Sequence, residues 1–185
     1  MTQLPFVTRI DNVNHTLEGA DNFSETRLKD MRSLYRYWNS NEDDATLETI
    51  VYRVSRKDVP TEPGELLQCI TEILPGDYHG EFFMTKGHGH KQRECTEIYL
   101  GIAGYGLVLM QSENGFRFEE LLPGRAIYIA AGWNHRTVNI DPQQYLLFYS
   151  IWPANSGYDY EAVIKNPFQY RVFRDTTQGY RFEER

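Results

Sequence analysis

Three observations in the sequence predict an all-β fold, an antiparallel sandwich or barrel. From Glu48 onward, apolar and polar residues alternate with a period of two. Gly, Pro and Asn-Gly turn signals separate these runs at short, regular intervals. No strand–helix–strand alternation of the kind that builds a parallel sheet occurs between them.

Residues 1–48 read as an N-terminal arm with a short helix. Asp21 or Ser24 is placed to cap it, and Leu28, Met31 and Leu34 recur at helical spacing as far as about Tyr37. Residues 49–152 read as the barrel core. Ile50, Tyr52 and Val54 share one face of its first strand. Leu67, Cys69, Thr71 and Ile73 share one face of the second, with Gln68 and Glu72 on the other, and Pro75-Gly76 ends it. Further strands are predicted at 81–87, 96–102, 105–111, 116–121, 126–131, 135–140 and 145–152. Asn114-Gly115 predicts a tight hairpin with both residues at positive φ. Residues 153–185 read as a C-terminal extension, with a helical turn at 161–165 and a last strand at 170–174. A chain of 185 residues without linker or repeat is expected to form one domain.

A chain that is 41% hydrophobic is globular rather than disordered. Its net charge of −7 supplies no basic field, which argues against nucleic acid and anionic membrane as partners. The same charge requires that any anionic substrate be captured by local groups. No apolar run approaches the thickness of a bilayer, and MTQLPFVTRID lacks the basic-then-apolar order of a signal peptide. Cys69 and Cys95 stand outside any CxxC pattern. They read as reduced thiols, so a cytoplasmic location is expected.

The chemistry is concentrated in His88-x-His90-x6-Glu97 and in His135. On a strand, residues two apart share a face, so His88 and His90 can converge on one ion, with Gly87 and Gly89 giving the backbone room to bend. Glu97 opens the next strand, with Tyr99 on its face. His135 comes from a separate strand, with Asn139 placed four residues on to orient a ligand. His15 and His79 stand alone and read as ordinary hydrogen-bonded residues. Three imidazoles with a carboxylate seldom gather without a metal. This set suits Fe, Mn, Zn, Ni or Co, and it contains no thiolate to favour a softer ion. Four protein ligands on an octahedral ion leave two adjacent positions for vicinal substrate oxygens, or for O2 with a substrate.

Other polar groups can meet a ligand. Tyr52 and Thr71 place hydroxyls on inward faces, where a phosphate, a water or the backbone must satisfy them. Thr85-Lys86-Gly87 offers a hydroxyl, a cation and an amide that a ligand can approach closely. Lys86, Lys91, Arg93 and Arg136 add positive charge near the ligand set.

PGRAIYIAAGWNHRTVN resembles the second cupin motif at Pro123, Gly124, Gly132, His135 and Asn139, with Ala130 where the pattern has Pro. His88-x-His90 through Glu97 and Gly104 resembles the first motif, with a longer gap before the Glu. That gap, EFFMTKGHGHKQRECTEIYLGIAGYG as a whole, EGADNFSETRLKDM and WPANSGYDY resemble the cupin-type glucose-6-phosphate isomerases best known from archaea, over about residues 17 to 165. The resemblance implies a cupin double-stranded β-helix, or jelly-roll barrel, working as a homodimer on a phosphorylated hexose. It implies His88, His90, Glu97 and His135 as ligands of one divalent ion, Fe2+ first. It implies Tyr52, Thr71, Thr85, Gly87 and Tyr160 around the sugar phosphate, to which the residues themselves add Lys86 as a substrate-binding cation, and Glu97, Tyr99 and Tyr158 at the reacting carbons. The ion would hold O1 and O2 of the open-chain sugar. Glu97 would move the proton by a cis-enediol route, or a hydride would shift directly. Tyr158-Asp159-Tyr160 departs from the His-Asp-Tyr usual in the family, so Tyr158 or water takes on what that His does. The competing readings are another phosphosugar isomerase, such as one for mannose 6-phosphate, a cupin iron dioxygenase and a non-catalytic sugar-binding cupin.

Overall fold

Alternating patterning becomes paired strands in the computed structural model, which describes residues 4–185; residues 1–3 of the expected arm lie outside that range. The arm holds β1 (Arg9–Asp11), β2 (Thr16–Glu18), β3 (Asn22–Arg27), a 3-10 turn at Leu28–Met31 and helix α1 (Asp44–Leu47). Next come β4 (Ile50–Lys57), β5 (Leu66–Ile73), β6 (Asp77–Tyr78), β7 (Glu81–Phe82), β8 (Gly89–His90) and β9 (Glu97–Ala103). They are followed by β10 (Gly106–Ser112), β11 (Gly115–Leu121), β12 (Ala126–Ile129), β13 (Asn134–Asn139) and β14 (Leu146–Pro153). The chain ends with β15 (Tyr158–Asp159), α2 (Tyr160–Lys165), β16 (Tyr170–Asp175) and β17 (Gly179–Glu184). No helix among the described residues is long and apolar enough to cross a membrane.

The strands form the all-β, antiparallel two-sheet architecture that the sequence leads one to expect. One antiparallel sheet runs β12-β9-β14-β5-β4-β3. A second runs β11-β10-β13, and bridges at Met84–Val138 and His88–His135 extend it into the segment before β8. Ile73, Tyr99, Ile129 and Phe148 of the first sheet meet Met84, Leu107, Leu109 and Val138 of the second in one apolar core. Phe148 is only 1% exposed, and burying such a side chain contributes about 2–3 kcal/mol relative to leaving it in water. The C-terminal β16-β17 hairpin packs onto β11, with ring centroids 4.8 Å apart for Phe116–Tyr170 and for Phe118–Phe182.

The structure differs from the sequence reading in four places. The expected helix from residue 21 to 37 is instead strand β3 and a 3-10 turn. Asn22–Arg27 pairs with β4, an edge that would otherwise stay open, and that tertiary pairing overrides local propensity. Leu28 and Met31 are still fully buried, so their spacing serves one turn rather than a helix. Asp21 caps nothing there; its carboxylate accepts from the Asp58 amide and from Lys57. The hairpin at 114–115 turns one residue earlier: Ser112 pairs with Gly115, and of the two residues only Gly115 takes positive φ. The strand expected at 81–87 is reduced to β7 and isolated bridges, because Gly87 turns the chain at φ 77°. Strand β17 was not expected, its charged RFEER ending masking the alternation of Tyr180 and Phe182.

Candidate active site

Two facing elements bring the histidines together. His88 lies opposite His135 across an isolated antiparallel bridge, and His90 follows on β8. Gly89 is needed between them, since a Cβ there would lie 2.3 Å from Asn134 Oδ1. Glu97 enters from the first sheet, at the start of β9. One ligand atom from each of the four residues lies within 4.8 Å of the others. Glu97 Oε2 is 3.0 Å from His135 Nε2, 3.1 Å from His90 Nε2 and 3.9 Å from His88 Nε2.

These residues fit a divalent ion. Ligands at right angles on an ion with bonds of about 2.1 Å stand about 3 Å apart, the separation found for two of the three pairs. The Nε2 atoms of His88 and His135 are buried without a hydrogen-bond partner, which costs free energy unless an ion or water meets them. His135 Nδ1 faces the Trp133 carbonyl at 3.4 Å, which leaves Nε2 to serve as the ligand atom. Burial first, then the neighbouring His135, holds His88 down at about 3, so it stays neutral as a ligand must. Burial alone would raise Glu97, but His135 and the other imidazoles bring it down to about 2, so it is ionised.

Beside this set is a cavity of about 690 Å³, counting its open mouth. His88 and Glu97 reach its wall, while His90 and His135 lie behind. Tyr52, Thr71, Thr85, Tyr99, Tyr158 and Tyr160 all line it. Thr85 Oγ1 accepts from the Thr137 amide at 3.1 Å, so its own proton remains to be donated. Burial pushes the hydroxyls of Tyr52, Tyr99, Tyr158 and Tyr160 above their ordinary range, so all four are neutral donors at neutral pH. The Tyr158 ring meets His88 edge-on at 4.9 Å, because β15 pairs with β8.

Other expectations need correction. Lys86 and Gly87 line a neighbouring cavity, which shares Tyr160 with the first. Arg136 is not at the pocket surface: it is buried over the Phe168 ring at 4.8 Å, and Nη2 donates to the Lys86 carbonyl at 2.8 Å. Burial pulls it down to about 10. Arg93 holds the Gly132 carbonyl at 2.6 Å. Asn139 does not orient a ligand; its Nδ2 faces the carbonyls of Ile73, Leu74 and Gln144. His15 and His79 lie outside the cluster, paired with Glu72 and Glu42. Sequence reading missed Arg56, Ser150 and Trp152 on the cavity wall, and gave Cys69 and Val54 no role there. Arg56 follows Tyr52 and Val54 at the same period of two, and that repeat was the available signal.

A family model described as Glucose-6-phosphate isomerase (GPI) matches residues 25–181. The chain belongs to the glucose-6-phosphate isomerase family. It is accordingly an enzyme of the isomerase class. A glucose-6-phosphate isomerase of Thermococcus litoralis is 32% identical over 175 residues, spanning 92% of this chain and 90% of its own length. One of Pyrococcus furiosus is 31% identical over 179 residues, spanning 95% and 93%. A putative glucose-6-phosphate isomerase of Rhizobium meliloti is 32% identical over 195 residues, spanning 98% and 87%. Among solved structures, an oxalate oxidase in complex with a substrate analogue is 18% identical over 70% of this chain and 62% of its own, with a TM-score of 0.49.

Proposed function

We propose that this isomerase is metal-dependent and interconverts glucose 6-phosphate and fructose 6-phosphate. His88, His90, Glu97 and His135 hold one divalent ion, Fe2+ in first place and Mn2+, Zn2+, Ni2+ or Co2+ after it. The observation that carries this reading is the His/Glu set at the wall of a cavity otherwise furnished with hydroxyls, in a chain of this family. When bound, the ion polarises oxygens on adjacent sugar carbons and steadies the negative charge that develops there.

The protein groups supply the rest. Glu97, ionised and only 4% exposed, moves the proton between C1 and C2. Tyr158, kept neutral by burial and set edge-on against His88, donates a hydrogen bond to the ring oxygen as the sugar opens. Tyr99, buried against Phe148 and His135, walls the reacting carbons from water. Tyr52, Thr71, Thr85 and Tyr160 donate to the phosphate, while Gly87 and Lys86 line the adjoining cavity that shares Tyr160.

The test is a coupled assay for glucose 6-phosphate made from fructose 6-phosphate. It uses metal-stripped protein with each divalent ion added back, in the absence of oxygen. Activity restored by one or more ions is the expected result; none with any ion rejects the proposal, and a need for O2 favours a dioxygenase. Glu97→Gln should abolish turnover. Solvent deuterium in the product of a single turnover supports Glu97 as the base.

A further inference from the structure

A sugar phosphate carries about two negative charges, and this protein has a net charge of −7. A fixed cation on the pocket wall would offset that repulsion locally. Among the described residues, Arg56 is the only Lys or Arg on its wall. The other cations near the ligand set lie off this wall, Lys91 exposed to solvent. Arg136 is behind the wall on the Lys86 carbonyl, Arg93 holds the Gly132 carbonyl, and Lys86 faces the neighbouring cavity.

Arg56 reaches the pocket through the period of β4, on the same face as Tyr52 and Val54. Its partner across the sheet is Cys69, so Thr71, two residues on, is a diagonal neighbour on that face, near enough for both to touch one ligand. Arg56 Nε donates to Asp58 Oδ1 at 2.6 Å. That bond fixes the plane of the guanidinium and leaves the Nη groups without a carboxylate partner among the described residues. Arg56 shares the cavity wall with Tyr158 and Tyr160. The Nη1/Nη2 edge that remains is a planar fork that matches the geometry of a phosphate.

We propose that Arg56 is a substrate-binding residue: its guanidinium, aimed by Asp58, is the fixed cationic contact for the phosphate of the substrate, beside Thr71 and Tyr160. The assignment rests on the sugar-phosphate reading of the pocket. It adds the charge that the hydroxyls alone lack, and it gives the Arg56–Asp58 pair a purpose beyond holding β4.

The test compares metal-loaded wild type with Arg56→Gln, Arg56→Lys and Asp58→Asn. The measurements are KM for fructose 6-phosphate, kcat, and inhibition by inorganic phosphate and by sorbitol, which has no phosphate. In Arg56→Gln, KM and the inhibition constant for phosphate should each rise about tenfold or more, the value of one lost charge-assisted hydrogen bond. Sorbitol inhibition and kcat should hold nearly constant, Arg56→Lys should recover part of the loss, and Asp58→Asn should show a smaller rise in KM. An unchanged KM in Arg56→Gln overturns the proposal. So does a fall in kcat alone, which would make Arg56 a positioning residue acting through Tyr158, or an equal loss of phosphate and sorbitol binding, which would mean a distorted pocket. If Arg56→Gln does not fold, an unchanged KM in Asp58→Asn overturns it. A wild type inactive with every ion sinks the parent reading, not this one. Thermal shifts with inorganic phosphate then judge Arg56: a shift present in wild type and lost in Arg56→Gln upholds the contact, and the same shift in both, or none in either, overturns it.

Discussion

Replacing Asn139 by Ala removes an amide that holds three carbonyls at once. Asn139 is fully buried, and its Nδ2 lies 3.1 Å from the Ile73 carbonyl, 3.2 Å from that of Leu74 and 2.9 Å from that of Gln144. Its Oδ1 accepts from the Asp141 amide at 3.0 Å. Two N–H groups serve three carbonyls, so the side chain contributes the equivalent of two donated bonds and one accepted. At about 1 kcal/mol each, with carbonyls left unmet in place, the loss is about 3 kcal/mol. For a chain of this length that is a fall in Tm of roughly 6–12 °C. Urea unfolding and a thermal melt measure it, and metal titration of the folded variant should give an affinity close to that of wild type. A variant that keeps its stability but loses metal affinity tenfold or so would refute the reasoning, and would make Asn139 a ligand-orienting residue after all.

Gly87→Ala should destabilise the protein by about 2 kcal/mol, because φ 77° disfavours a side chain. The new Cβ would lie 3.0 Å from the His135 carbonyl, so His88 should shift and metal affinity fall; unfolding and titration curves that overlay wild type would reject this. The metal-free protein should lose stability in acid. His88 sits at about 3 in the fold against 6.5 in the unfolded chain, so between those values the unfolded chain binds the extra proton. Glu97, at about 2 against 4.5, adds a loss below its unfolded value. Urea unfolding should show a drop on the order of 3 kcal/mol from pH ~7 to pH ~4, and a flat profile would contradict it. Burial pushes the Cys69 thiol up to about 12. Its alkylation by iodoacetamide near neutral pH should be slower than that of a free thiol by a factor on the order of 100 or more; mass spectrometry of the Cys69 peptide showing rapid labelling would count against a thiol held neutral by burial.

The ligand set was legible because it depends on local geometry. His88 and His90 sit two apart beside glycines that let the backbone bend, and His135 occupies a recognisable motif. Tyr52, Thr71 and Thr85 were legible for the same reason, as inward positions of period-two strands or their flanks. Arg56 obeys that rule too, yet a charged side chain on a strand is ordinarily read as facing solvent, and nothing local marks it as facing a cavity. Arg136 was misplaced for the converse reason. It neighbours a ligand in sequence, but alternation sends it to the opposite face of β13 and into the interior.

The arm shows the limit most clearly. Leu28, Met31 and Leu34 carry helical spacing, and only the open edge of β4 decides that the preceding residues pair as a strand. Asn139 likewise belongs to the motif that brings His135, but which carbonyls it meets depends on how the turns after β5 and before β14 close around it. Most strands of residues 49–152, their inward faces and the His/Glu set follow from the sequence alone, because side-chain alternation is a property of the backbone. Which open edge is covered, which cation lines the cavity and which carbonyls a buried amide must satisfy depend on neighbours dozens of residues away, and only the folded chain brings those together.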